Sequence, residues 1–553
     1  MPSMQGSGSL YNRRMRLPAR RPRPGPHPAP RRGGIACPAL AVVLLAMLAA
    51  GIRAEPTGEL RVGVTRLPDT LDPAVLTPGP AWLVSRQLFQ GLVDVGERGD
   101  LEPGLASQWT VSRDGLTWTF RLRPDVQFHN GTPLTPEVVV ASLARHAAPE
   151  EGREPAEPWL AVFHGQGALV REVRRGEAGT VQILLGQPFS PLLALLAHPA
   201  LAIVLTQNDR ALPLLGTGPY RVAERSPGRL VLQAAGSAGE RARAARLVFE
   251  EVGDDAGGLA ELGPRGRLDL YFPQAAPAWG GLGLQVLSGP TWQVGFLAFR
   301  THQGLPARKA IRQAIALALD PALVGPALGR GVRSHAAYLP PGAWAARPTP
   351  AAAHDPIRAR RLLAEGRAAG ATMTLLAPEP SGELDSGRLV EAIRLSLAVA
   401  GLTVQIRQAA GEAYAQALRQ GEGELALHEV RPSLDDPHFL LRPLVASDAA
   451  GRGGATNVAF YRNLAADDLL LRASQLAFRP ERLRLYQRLQ AQLAEDLPYL
   501  PLYVRLQWAV ARPTVRDLRL DPAGRHRLDR VWVEAPPEPP GPTPPPGIPG
   551  DDQ

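Results

Sequence analysis

The residues best suited to chemistry are few and scattered. Of the 11 histidines, His428 and His438 stand closest together, and Asp435-Asp436-Pro437 lies between them. Two histidines with no second pair at matching spacing lack the ligand pattern of a zinc site, so packed or surface roles are expected. Adjacent acids can act as an acid–base couple, but before a proline they more often shape a turn through their own backbone. The single cysteine, Cys37, precedes an apolar run near the N-terminus. The chain contains no G-x-S-x-G elbow, no H-E-x-x-H helix and no phosphate-cradling G-x-x-x-x-G-K. These patterns point away from catalysis and towards binding.

Charge narrows the class of ligand. The formal net charge is +9, and residues 1–54 carry nine arginines with no Asp or Glu. The remainder of the chain is therefore neutral and has no net field to gather a polyanion, which argues against nucleic acid as a partner. Eight of these arginines precede the apolar run Ala39–Gly51, and the ninth, Arg53, follows it in the segment Ile52-Arg53-Ala54. That run falls short of the ~20 residues needed to cross a bilayer. Residues 1–54 thus read as an export signal, with cleavage expected after Ala54; a retained N-terminal membrane anchor is the alternative. Removal of the signal takes Cys37 with it, leaving no disulfide and no thiol chemistry.

Several elements must position whatever site exists. The stretch Phe120–Leu143 holds a strand, an Asn130-Gly131 turn and a helix opened by Thr135-Pro136. Before it, Gln108–Val111 and Thr117–Leu122 flank Asp114-Gly115, a hairpin signal. Leu83–Val95 reads as one helix, and strands are expected at Leu60–Val64, Val181–Leu185, Leu230–Ala234 and Gln293–Arg300. Ile311, Ala314, Ile315, Ala318 and Leu319 share a helical face. Helices and strands alternate from Asp355 to Ala409, and a long helix covers Pro480–Glu495. Residues 535–553 are too rich in proline to pack and are expected to form a solvated, disordered tail.

Seven stretches then follow one another in a single order: TLDPA, QLFQGLVDV, the run Leu101–Leu143, GTGPYRV, IRQAIALALDPALV, HDPIRARRLLAEG and DLPYLPLYV. Together, from about Leu60 to Glu534, they resemble family 5 of the extracellular solute-binding proteins, the receptors of oligopeptide, dipeptide and nickel ABC importers. The resemblance implies an α/β, bilobed periplasmic-binding-protein-like fold of type II with an extra inserted domain. Lobe I would combine residues 57–98, 210–290 and 498–534, the insert would be 99–209, and lobe II 291–497. It further implies a periplasmic, monomeric, non-catalytic receptor with no cofactor. Such a receptor captures a small peptide or peptide-like solute between its lobes and hands it to a permease and ATPase complex. A metal-chelate receptor of the same fold, and an orphan sensor or chaperone without a permease, are the alternatives.

The resemblance also nominates site residues. In peptide binders an Asp four residues before the proline of the Asp-Pro loop pairs with the ligand's α-amino group. Here that position, counted back from Pro437, is Ser433, so the amine role is either lost or taken by Asp435 from a shifted register. Arg431 flanks Ser433, and Arg505 follows Pro-Leu-Tyr, where peptide binders often carry an aromatic. Either arginine can meet a ligand carboxylate or remain a solvated surface group. Thr77, Pro78 and Gly79 belong to a loop pointed inward in the family, and Trp292 opens the strand after the crossover, as cleft or as core. His438 matches the histidine of the nickel-chelate branch, or else simply starts the next helix. Phe299-Arg300 replaces the family's usual Phe-Asn.

Overall fold

The computed structural model describes residues 58–76, 79–96, 99–146, 169–207, 214–236, 242–277, 283–349, 353–380, 384–432, 434–450 and 456–534. The expected leader and the Pro-rich tail lie outside the described residues, as do Thr77, Pro78 and Ser433. Among the described residues no helix is long and apolar enough to cross a membrane.

In chain order the main elements begin with β1 (Glu59–Val64) and α1 (Pro80–Leu88). Next come β2 (Ala106–Val111), β3 (Thr117–Leu122), α2 (Pro136–Ala144), β4 (Val170–Arg175) and β5 (Thr180–Leu185). Then follow β6 (Tyr220–Ser226), β7 (Arg229–Ala234), β8 (Arg246–Glu251), β9 (Leu270–Tyr271) and β10 (Gln285–Phe299). The next stretch holds α3 (Lys309–Ala318), β11 (Val332–Ser334), α4 (Pro356–Glu365), β12 (Thr372–Pro378), α5 (Ser386–Val399) and β13 (Thr403–Ala409). The last elements are β14 (Leu425–Val430), α6 (Pro437–Val445), α7 (Arg479–Asp496) and β15 (Tyr499–Ala511).

A mixed sheet of eleven strands runs in the order β6-β7-β8-β1-β9-β15-β10-β14-β12-β13, with β11 beside β15. Two long strands, β10 and β15, carry it from one end of the molecule to the other. At one end β1, β7 and β8 enclose Leu60, Val62, Leu232, Leu247 and Phe249. At the other end β10 is buried on both faces, as period-two alternation requires. Its Leu297 and Phe299 pack with Ile311, Ile315 and Ile393, whereas Val294, Phe296 and Ala298 pack with Leu441, Tyr486 and Tyr499.

A separate four-stranded sheet, β2-β3-β5-β4, covers its own core of Trp118, Phe120, Ile183, Val139 and Leu195. The hairpin and helix read from the sequence lie here. Gly115 turns β2 into β3 at φ 74°, and Thr135 Oγ1 accepts from Val138 N at 3.4 Å at the start of α2. This unit is well formed because it packs, and no chemical role is needed to account for it.

One expectation is corrected. The helix read over Leu83–Val95 ends at Leu88, and Val93–Val95 forms a short strand with Leu101–Pro103. The cause is the Gly216-Thr217-Gly218 segment. Gly218 N donates to Leu88 O at 2.9 Å, and a Cβ on Gly216 would lie 1.9 Å from that same oxygen. Only backbone without side chains fits against the helix end, which explains the glycines of the GTGPY stretch.

Arg300, which stands where the resemblance leads one to expect Asn, is fully buried beneath the core end of β10. Its guanidinium donates to the carbonyls of Gly423 at 3.3 Å and Glu422 at 3.1 Å and to that of Val458. It ties loops together and faces no ligand space.

Candidate ligand-binding cleft

The two long strands are irregular where they cross the middle of the molecule. β10 and β15 pair from Gln285↔Ala511 to Pro290↔Leu506, and pairing resumes at Val294↔Val504. Thr291, Trp292 and Gln293 therefore face Arg505 alone. A bulge of this kind re-aims side chains and bends the strand, and here it opens the floor of a cleft of about 610 Å³. One wall comes from Thr65 after β1, from Gly79 and Trp82 at the start of α1, and from Phe272 after β9. The other wall comes from Arg431 and Pro432 after β14, and the segment Pro522–His526 closes one side.

Four of the nominated residues meet in this cleft: Gly79, Trp292, Arg431 and Arg505. Gly79 precedes α1 at φ 111°, a conformation that a side chain strains, with open space where a Cβ would point. Trp292 lines the cleft yet is 8% exposed and belongs to the core with Val294 and Tyr338. Arg505 Nε donates to Glu429 Oε2 at 2.7 Å, and Glu429 Oε1 accepts from Gln293 Nε2. Arg431 is exposed and has no hydrogen-bond or ion-pair partner among the described residues.

Asp435 is elsewhere. Its side chain is 3% exposed and forms an ion pair with Arg525, which also lies 3.5 Å from Asp521. The next acid, Asp436, receives Arg482 Nη2 on both oxygens, at 2.9 and 2.8 Å, and caps α6 by accepting from His438 N at 3.0 Å. The adjacent acids are thus buried structural anions and do not face the cleft. His438 begins α6, edge-on to Phe189 at 5.4 Å, and burial lowers its pKa to about 4. His428, similarly held at about 4 by burial, sits 6.2 Å from the Tyr499 ring. Among the described residues no three His, Cys, Asp or Glu side chains gather into a metal-binding group.

Sequence reasoning missed several lining residues. Gln507 follows Arg505 at strand period, so the alternation of β15 could have placed both on one face. Phe272 and His526 had no such signal. They stack at 4.4 Å with 11° between their planes, and they come from parts of the chain more than 250 residues apart. His526 Nδ1 accepts from Asp521 N at 2.9 Å, and burial lowers its pKa to about 4, so the ring is neutral at the cleft wall. Gln87 ties this segment to α1, donating to His526 O at 2.9 Å and accepting from Leu528 N at 3.2 Å.

A second cavity, about 380 Å³, lies beside Arg86, Asp94 and Arg527. Two of its arginines are paired: Arg86 meets Asp94 at 2.6 Å, and Arg527 meets Asp529 at 3.0 Å.

A bilobed α/β body with two long shared strands and a polar-floored cleft where they cross defines a solute-binding protein. The model of bacterial extracellular solute-binding proteins, family 5 (middle region), matches residues 100–452, and the chain belongs to that family. Among curated relatives, the probable D,D-dipeptide-binding periplasmic protein DdpA of Escherichia coli is 26% identical over 493 residues, 84% of this chain and 92% of that one. The glutathione-binding protein GsiB of Escherichia coli is also 26% identical, over 86% of this chain and 93% of its own. Among solved structures, HbpA2 from Haemophilus parasuis superposes with a TM-score of 0.76 at 22% identity, covering 86% of this chain and all of that one.

Proposed function

We propose that this protein is the substrate-binding receptor of an ABC importer. It captures a small peptide or peptide-like solute in the cleft over Arg505 and delivers it to a membrane permease with its ATPase. The observation that carries this reading is the cleft itself, built on the bulge of β10 where two separately cored ends of one sheet meet. Family membership and the printed names of the relatives, which include a dipeptide-binding and a glutathione-binding protein, support it.

In this reading residues 57–98, 210–290 and 498–534 form lobe I, 99–209 the insert and 291–497 lobe II. The hinge is the unpaired stretch Thr291–Gln293 opposite Arg505. Closure removes ligand and walls from water and adds contacts that the open form lacks, so solute shifts the balance by its differential affinity for the closed state. The protein works as a monomer in the periplasm, after export directed by residues 1–54, and carries out no catalysis.

Reconstitution tests the proposal. The mature protein should stimulate solute-dependent ATP hydrolysis by the permease complex encoded with it, in liposomes, and should release its solute there. A protein that binds solute but never engages any permease complex would support the sensor or chaperone alternative instead.

A further inference from the structure

We infer that the solute is recognised as an anion: a peptide-like molecule with a carboxylate and without a free α-ammonium group, its amine acylated or otherwise blocked. The inference rests on the receptor reading above and goes on to specify the ligand's chemistry.

Two guanidiniums, Arg431 and Arg505, line the cleft, and no described lining residue is Asp or Glu. The acids close by in the chain are already engaged. Glu429, with 21% of its side chain exposed, has one oxygen on Arg505 Nε at 2.7 Å and the other on Gln293. Asp435 is buried on Arg525, and Asp436, 1% exposed, is buried on Arg482. An ammonium enclosed here would lose its hydration and find no unengaged anion among the lining residues, a penalty of several kcal/mol.

The cation side is the reverse. Arg431 projects at the cleft rim without a partner among the described residues, and its planar fork suits a carboxylate. Arg505 is held in place by Glu429, so its position is fixed before a ligand arrives. Around them Phe272 and Trp508, with the edges of the buried Trp82 and Trp292, line the cleft with apolar surface for the uncharged body of the solute.

The test uses three matched peptide libraries on the purified mature chain, read by thermal shift and followed by calorimetry of any hit. One contains free di- and tripeptides, the second their N-acetyl derivatives, and the third the N-acetyl C-terminal amides. Stabilisation confined to the N-acetyl acids, with affinity reduced roughly ten- to a hundredfold in Arg431→Gln, is the expected result. The unliganded variant should melt with the wild type, since Arg431 makes no contact whose loss would matter. Free peptides binding as well as or better than their acetyl forms would overturn the inference and leave the receptor reading standing. No shift from any library would count against a peptide-like solute altogether, and against the inference with it.

Discussion

Arg505 and Glu429 approach from opposite sides of β10 and meet at 2.7 Å across its bulge. The pair spans the three strands that run through the cleft floor and holds a guanidinium at the cleft lining. Charge-assisted bonds of this kind contribute about 1.5–3 kcal/mol. Glu429→Gln should therefore lower unfolding free energy by an amount in that range, measured by urea denaturation. It should also weaken solute binding, because Arg505 is then no longer held in position. Unchanged binding in a destabilised variant would remove Arg505 from the ligand contacts.

Asp435 gives a sharper separation of roles. Buried on Arg525, it should behave as half of a structural ion pair. Asp435→Asn should lower stability by about 1.5–3 kcal/mol, since Arg525 loses its nearer buried carboxylate and keeps only Asp521 at 3.5 Å. If the carboxylate instead served a ligand amine, the same variant would keep its apo stability and lose binding. Denaturation and calorimetry on one preparation distinguish the two.

Acid should unfold the protein earlier than its carboxylates alone demand. His428, His438 and His526 are each held at about 4 by burial, against an ordinary value of about 6.5. Between those values the unfolded chain takes up protons that the folded chain refuses, so their contribution is fully present above about pH 6.5 and is lost as pH falls towards 4. Their surroundings hold charges of both signs: Asp436, Arg442 and Arg482 around His438, and Asp521 and Arg525 around His526. Melting temperature should drop steadily from pH 7 to pH 5, and His438→Leu should make that slope shallower. A flat profile over this range would show that the rings are not buried neutral in solution.

Gly216→Ala should be among the most damaging single changes in the chain. Its Cβ would meet the backbone oxygen of Leu88 at 1.9 Å, where no flexible side chain can give way. Loss of soluble, cooperatively folding protein is expected, seen as a missing thermal transition by circular dichroism. Gly131→Ala makes a useful contrast. Gly131 has φ 85° but nothing within 4 Å of its Cβ, so only the backbone strain of about 1–2 kcal/mol is expected there.

Much of the architecture was legible because local rules and burial agreed. Pro136 after Thr135, Asp114-Gly115 between alternating strands and the Ile311–Ala318 face all became the elements that they signal. Leu83–Val95 misled because its apolar spacing suits a helix, whereas what ends the helix is glycine backbone arriving from residues 216–218. The cleft was legible only in part. Arg505 and Arg431 stood out as charges beside motifs, but the Phe272–His526 stack joins segments that no local pattern connects. Asp435 attracted attention as an acid, and only the fold shows Arg525 lying against it.

The central claim is that two ends of one sheet close over a solute at the β10 bulge. Small-angle X-ray scattering of the mature chain, with and without a saturating amount of a solute that stabilises it thermally, tests this directly. The bound protein should have a smaller radius of gyration and a narrower pair-distance distribution, and Arg431→Gln should need more solute to reach the same end point. Superimposable curves at saturation would contradict closure, and with it the account of how this cleft holds its ligand.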